Sequence, residues 1–522
     1  MKSMDRSNPT SGLVAKGQSG YGGRMSNHIG AGTAVSSRAL GTLLDSWRAS
    51  SSPGYAALAD RLRLLVVDGR LPVGTRLPSE RELAAHLGVS RTTVAATYSS
   101  LRETGHVTSL RGSGSVVRLP SRSTAPRPTD RGGDVVDLTK AALPAVDGIG
   151  EAAQRAVDAL GAYLPDSGYD IVGRPVLREA IAARYRERGL DTHADQIVVT
   201  LGAQHAIALL ARVLVGRGDR AIVEVPGYPH AFEALRAAGA RLAPVSVTVD
   251  DGWDESALLQ TLRLTSPPVA YLMPDFHNPT GATMPAEQRV RVLEAAAAEG
   301  TVVIADETMA ELRVGGDGEE RGLRDVGRAS SSSSSAPAPL PMAAYGPAVM
   351  IGSAGKSLWG GLRVGWIRAE RPLVERLVRA RSAGDLGTPV LEQLIVADLL
   401  GDMERVLEAR ATHLRRGRDH LVAGLRAAFP GWSVPSPAGG LSTWVNLGAP
   451  VSSQLTVAAR QHGLAVAAGP MFGVDGAFER FLRLPFSYSA EETDRALAAL
   501  AAAWEGIDGV QASGGTALSE VV

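Results

Sequence analysis

The chain has 522 residues, too long for one ordinary domain and long enough for two or three, and 44% of it is apolar, enough for real cores. Basic and acidic residues balance at 54 each, so no global field points to nucleic acid, and any basic surface must be local. The absence of cysteine excludes disulfides, thiolate metal sites and cysteine nucleophiles. No apolar run reaches membrane-spanning length and no signal-peptide core opens the chain, so a cytoplasmic protein without a membrane partner is expected.

Residues 1–37 are rich in Ser, Gly and Asn with little apolar periodicity, and read as a disordered segment. Arg38 to Trp47 is a short amphipathic piece expected to dock on the helices after it. Leu58, Leu62, Leu65 and Val66 give a first helix one apolar face. Ser79-Glu-Arg-Glu82 is a capping box that starts a second helix, ended by Gly88. Ser90 caps a third, whose inward face is Val94, Tyr98 and Leu101, and Gly105 ends it. His106–Leu110 and Ser115–Arg118 are short strands around Arg111-Gly-Ser-Gly114. Three helices and a hairpin over residues 38–118 make a winged helix-turn-helix. Residues 55–118 hold nine Arg and no Lys against five acidic residues, a net of +4, so the neutral whole hides a basic module.

The stretch Leu77–Val94 (LPSERELAAHLGVSRTTV) and the hairpin Ser109–Val117 (SLRGSGSVV) resemble the DNA-binding domain of the GntR family of bacterial regulators. In such motifs the amino end of the recognition helix enters the major groove, which puts Ser90, Arg91, Thr92 and Thr93 against double-stranded DNA. Arg91 suits guanine, and the hydroxyls suit phosphates or base edges. Arg81 and the wing residues Arg111 and Gly112 flank that surface. Some family members carry a further arginine where this chain has Ala95, so the operator sequence does not carry over.

Residues 119–134 are rich in Pro, Ser and Arg. They read as a flexible linker, either a solvated tether or one that also touches phosphates through Arg122, Arg127 and Arg131. From residue 135 to 508, Val/Ile/Leu strands alternate with Ala/Leu/Arg-rich helices, as in an α/β domain with a largely parallel sheet. A low-complexity insertion at 329–341 interrupts it, and residues 509–522 read as a tail.

Several stretches in this domain carry chemistry. Ile351–Arg363 (IGSAGKSLWGGLR) offers the Lys356 amine for a Schiff base, the Ser353 hydroxyl, and Arg363 to grip phosphate oxygens. The glycine turn Leu201–Gln204 opens a helix, and the backbone amides of Ala203 and Gln204 would cradle a phosphate. Tyr228 comes after a strand, as an aromatic that stacks on a ring or packs in the core. Asn278, in Asn-Pro-Thr-Gly, suits a phenolate oxygen or a plain turn. Asp306 ends an apolar strand, either to pair with a pyridine nitrogen or simply to start a loop. Arg483 lies in an apolar run, where a substrate or effector carboxylate or a protein carboxylate would be its partner. His277 and His205 lie near this set and are assigned no role.

In this order these residues resemble fold-type I aminotransferases, and the fusion to a GntR-type winged helix resembles the MocR subfamily of transcriptional regulators. VTLGAQHAIALL, PDFHNPTG, IADETMAEL, GKSLWGGLRVGW and LRLPF carry the likeness. The resemblance implies pyridoxal 5'-phosphate (PLP) as cofactor, bound covalently by Lys356. Asp306 would face its ring nitrogen, Asn278 its phenolate and Tyr228 its ring. Ser353, Arg363 and the Ala203–Gln204 amides would hold its phosphate, and Arg483 an effector carboxylate. It also implies a homodimer, often a head-to-tail swap, whose two modules read paired half-sites. Many enzymes of the fold hold the phenolate with a tyrosine where this chain has Thr308, which weakens the case for turnover. The expected function is therefore a DNA-binding regulator that senses PLP or its adduct with a small amino compound; the alternative is a PLP-dependent aminotransferase with an attached DNA-binding module.

Overall fold

The computed structural model describes residues 34–44, 47, 54–67, 71, 75–110, 114–118, 135–315, 340–474 and 476–507. Residues 1–33, the wing tip with Arg111 and Gly112, the 119–134 linker, insertion residues 329–339 and the 509–522 tail lie outside them.

The amino-terminal unit holds α1 (Ser37–Leu44), α2 (Gly54–Val67), α3 (Glu80–Leu87), α4 (Arg91–Glu103) and the hairpin β1 (Val107–Leu110) and β2 (Gly114–Val117). Leu40 and Leu44 of the expected docking piece are fully buried against this core, together with Leu58, Leu62, Leu65, Val94, Tyr98 and Leu101. Each such side chain contributes about 1.5–3 kcal/mol relative to exposure. The capping box forms as read: Ser79 Oγ accepts from Glu82 N, and the Glu82 carboxylate accepts from Ser79 N. Gly88 at φ 64° makes the left-handed stop between α3 and α4. Tyr98 Oη donates to the Pro78 carbonyl at 2.9 Å and so ties α4 to the start of α3.

The large unit comes next, in chain order: β3 (Val136–Asp137), α5 (Ile149–Ala159), α6 (Pro175–Glu187), β4 (Ile197–Thr200), α7 (Ala203–Leu214), β5 (Arg220–Val225), α8 (Pro229–Ala237), β6 (Arg241–Thr248), β7 (Gly252–Trp253), α9 (Glu255–Thr265), β8 (Val269–Leu272), α10 (Ala286–Ala298) and β9 (Val302–Asp306). Then come β10 (Val349–Ser353), α11 (Ala354–Ser357), β11 (Gly365–Arg368), α12 (Arg371–Arg381), α13 (Val390–Leu400), α14 (Met403–Ala428), β12 (Ser442–Asn446), α15 (Ser452–Gln461), β13 (Leu464–Ala465), β14 (Ala467–Ala468), β15 (Phe481–Pro485) and α16 (Ala490–Glu505). An eight-stranded sheet runs β4-β11-β10-β9-β8-β5-β6-β7. The β10–β9, β9–β8, β8–β5 and β5–β6 pairs are parallel; β10–β11, β11–β4 and β6–β7 are antiparallel. Helices cover both faces, so β4 and β8 are buried at every residue, which is why they read as unbroken apolar runs. A second lobe is built on the antiparallel sheet β12-β15-β14 with α15 and α16, and β3 joins it by pairing in parallel with β13. The winged-helix unit meets this lobe where α2 lies against α15.

The loop from β8 to α10, which carries Asn278, is pinned by charge. Arg289 and Asp275 are both buried and meet at 2.6 Å, and Arg289 also donates to the carbonyls of Met284, Pro274 and Leu340. Removing one member of such a pair strands the other in low dielectric. Arg289→Ala should therefore lower the unfolding free energy of the large unit by about 3–5 kcal/mol, measured by urea denaturation followed through tryptophan fluorescence. A change under about 0.5 kcal/mol would show that the loop does not depend on the pair.

Candidate cofactor and nucleic-acid sites

The carboxyl ends of β4, β5, β8, β9 and β10 open on one side of the sheet, and each carries a residue of the candidate site. Gly202 ends the turn after β4 and starts α7 without a side-chain cap, leaving the first amides of α7 free of intrahelical partners. Arg363, at φ 52°, lays its guanidinium over that turn: Nη2 donates to the Leu201 carbonyl at 3.1 Å, and a Cβ on Gly202 would sit 2.9 Å from it. Gly365 is as constrained, since a Cβ there would meet the Gly202–Ala203 backbone. Ala203, Gln204 and Arg363 thus surround one small polar recess. Ser353 stands at its edge, with Oγ capping α11 by accepting from Gly355 N and donating to the Val364 carbonyl.

Lys356 rises from α11, and its Nζ donates to the Ala141 carbonyl at 2.6 Å. Burial pushes its pKa down to about 8; the Arg483 guanidinium pushes the same way and Asp306 opposes. Asp306 is buried at the end of β9. Its Oδ2 accepts from the Tyr271 hydroxyl at 2.5 Å and its Oδ1 from Thr308 N at 3.0 Å. Burial raises its carboxyl, while the Tyr271 and Thr308 donors pull it back. Among the described residues both donors are neutral, so this carboxylate lacks a cationic hydrogen-bond partner. Tyr228, at the start of α8, is pushed up to about 12 by burial and by the charge of Asp306. Asn278 is 8% exposed, and its Oδ1 is buried without a protein partner.

Arg483, 7% exposed in β15, has its pKa lowered to about 10 by burial. Among the described residues no protein carboxylate bonds it. Instead Nη2 donates to the backbone carbonyl of Thr139, the guanidinium lies over the Phe472 ring at 5.4 Å, and Nε has no partner. The fold brings all the sequence-identified large-domain residues to one side of the sheet. Three contributors escaped the sequence reading. Tyr271 is hidden within an apolar strand. Thr139 and Ala141 act through backbone carbonyls, which no side-chain pattern reveals. His277 and Glu224 form a buried floor: His277 Nε2 lies 3.3 Å from Glu224, whose carboxylate accepts from Trp253 Nε1 at 2.6 Å and from Met273 N.

On the winged helix, Arg81, Ser90, Arg91 and Thr92 are exposed and Thr93 is partly so. Ser90 Oγ is engaged as the cap of α4, accepting from Thr93 N at 3.0 Å and touching the Thr92 and Thr93 hydroxyls. It therefore shapes the helix end more than it offers a free hydroxyl. Arg91, 72% exposed in its side chain, lies 3.6 Å from Glu80.

A helix-turn-helix joined to a lysine-bearing α/β site defines a two-part regulator. Residues 54–117 match the gntR family of bacterial regulatory proteins, and residues 151–500 match the aminotransferase class I and II family. The HTH-type transcriptional regulator TauR of Rhodobacter capsulatus is 30% identical, over 83% of this chain and 93% of its own. The probable rhizopine catabolism regulatory protein MocR of Rhizobium meliloti is 29% identical over 71% of this chain and 75% of its own. Among solved structures, LysN, the α-aminoadipate aminotransferase of Thermus thermophilus crystallised with N-(5'-phosphopyridoxyl)-L-leucine, is similar with TM-score 0.61 and 26% identity, over 74% of this chain and 96% of that one. The chain belongs to the aminotransferase class I and II family and, with its gntR-family module, is a regulator of the MocR type.

An amine attacks a carbonyl only when neutral. With Lys356 near 8, the rate at which its amine condenses with an added aldehyde should rise with pH to a half-point near 8, not near the ordinary lysine value of 10.5. Because the Arg483 guanidinium depresses Lys356, Arg483→Met should move the half-point upward. Stopped-flow absorbance from about pH 6 to 10 reads both; a half-point near 10.5 in the unaltered protein would refute the enclosure of Lys356.

Proposed function

We propose that this DNA-binding regulator holds PLP at Lys356 and changes its hold on DNA with the state of that site. The observation that carries the reading is the convergence of Lys356, Asp306, Asn278, Tyr228 and Arg363 in one recess of a chain that also presents a recognition helix. The residues suit the cofactor chemically. The buried Asp306 carboxylate suits a protonated ring nitrogen, the Nδ2 donor of the nearly buried Asn278 a phenolate, and the α7 amides with Arg363 and Ser353 a phosphate. When bound, PLP supplies an electrophilic aldehyde carbon and an electron-accepting ring. Around it, Lys356 acts as the nucleophile, Asp306 keeps a proton on the ring nitrogen, Tyr228 covers the ring, and Arg483 receives a carboxylate. The preferred effector is a small amino compound with an acid group.

The other half of the function rests on α4. Arg91 reads base edges, Thr92 and Thr93 meet base edges or phosphates, and Ser90 fixes the helix end; Arg81 and the wing residues Arg111 and Gly112 flank the duplex. A homodimer, whether or not the modules are swapped, presents two such helices to paired half-sites, as expected of a cytoplasmic regulator. A fluorescence titration onto the chain's own upstream DNA, at one fixed salt concentration, tests this. Affinity should change with PLP, and the change should vanish in Lys356→Ala. Arg91→Ala should cost about 1–3 kcal/mol and relax specificity. Specific binding that ignores PLP would remove the cofactor from the switch.

The assembled Lys356, Asp306 and Arg483, with the likeness to LysN, favour a second reading: an aminotransferase with an attached DNA-binding module. Thr308 stands against it, too short to hold a phenolate as a tyrosine does. Steady-state transamination above about 1 per second across amino and keto acids would establish that reading; half-reactions without turnover would leave the regulator.

A further inference from the structure

We propose that the segment from Asp137 to Val146 is a strap that competes with cofactor and effector for their two anchoring residues, and so carries the state of the site to the DNA-binding module. The inference rests on the proposed function and names how that same site is regulated.

The strap comes directly after the linker and crosses between the two lobes. Its start is fixed to the smaller lobe: Val136 N donates to the Gly463 carbonyl and Leu138 N to that of Ala465. Its end is fixed to the larger one, where Arg410 donates to the Pro144 carbonyl at 2.7 Å and Val146 N to that of Leu358. Between these ends its carbonyls are held by side chains. The Tyr488 hydroxyl bonds those of Asp137 at 2.5 Å and Lys140 at 2.9 Å. Arg483 Nη2 bonds that of Thr139, and Lys356 Nζ that of Ala141 at 2.6 Å. The two residues meant for ligand therefore both grip the same short run of backbone.

Ligand chemistry withdraws the Lys356 grip and draws on the Arg483 one. Condensation of the Lys356 amine with an aldehyde forms a C=N bond, releases one water and leaves at most one proton on Nζ. With that proton committed to an oxygen of the cofactor, Nζ would have none to give Ala141. Either bidentate fork of a guanidinium uses Nη2, the nitrogen that holds Thr139, so a carboxylate on Arg483 must share or take it. An internal competitor scales apparent ligand affinity by the fraction of time the site is free of it. Release also has a route to DNA: β3 begins at the linker's end, its partner β13 comes just after α15, and α15 is the helix that α2 of the winged helix touches.

The cysteine-free chain makes the test direct. Ala142 is exposed on the strap, so Ala142→Cys in the full chain carries a single nitroxide label. Its spectrum should sharpen as PLP loads, and in the Lys356→Ala background it should be sharp from the start and indifferent to PLP. Tyr488→Phe removes the one hydroxyl proton that the Asp137 and Lys140 carbonyls share. It should tighten PLP binding, read by the visible absorbance of the lysine-bound cofactor, by about threefold to tenfold, and shrink the cofactor-linked change in DNA affinity. Loading with an unmoved label, or a Tyr488→Phe variant that binds PLP equally or more weakly, overturns the strap while leaving the proposed function standing. If no visible absorbance develops in the unaltered protein, both fall together.

Discussion

Parallel strand pairing is the constraint on which the rest depends. Because β10, β9, β8 and β5 run the same way, their carboxyl ends share one edge of the sheet, and the residues just past each strand are delivered to the same place. Tyr228, Asn278, Asp306 and Lys356 come from four separate stretches of chain and are neighbours for that reason alone. One antiparallel strand, β11, then returns the chain beside β10 after Arg363, and β4, antiparallel to β11 and so running with β10, sets the glycine turn against it. No side-chain contact among these residues is needed to assemble them.

The interior behind that edge is unusually polar. Asp306, Glu224, His277, Asp275 and Arg289 are all nearly inaccessible, and each is met by a hydroxyl, an indole, an amide or an opposite charge. Buried polar groups are costly unless partnered, and fully partnered networks fix one geometry. This polar floor holds the Asn278 loop and the Asp306 carboxylate in place without help from a ligand.

Much of this was legible in the sequence, for local reasons. Ser79 and Ser90 cap helices by reaching residues three positions away, and the face of α2 comes from spacing alone, so the winged helix could be read almost residue by residue. Asp306 and Asn278 stood out as a carboxylate at a strand end and an amide in a turn, each open to a plain structural reading, and the fold sets both past neighbouring strands. Arg483 was legible as an anomaly, but its partner was not: the carbonyl of Thr139 is distant in sequence and has the same chemistry at every position. Tyr271 was silent for a related reason, since a tyrosine in an apolar strand looks like packing until the fold sets Asp306 on the next strand.

The two arginines at the ends of the recess differ in their access to water. Arg363 is exposed, whereas Arg483 is enclosed beneath the Phe472 ring and the Thr139 backbone. One guanidinium therefore keeps its water while the other has been stripped of it and leans on a ring and a carbonyl instead. An anion that approached Arg363 would meet solvent, whereas one that approached Arg483 would first have to displace protein.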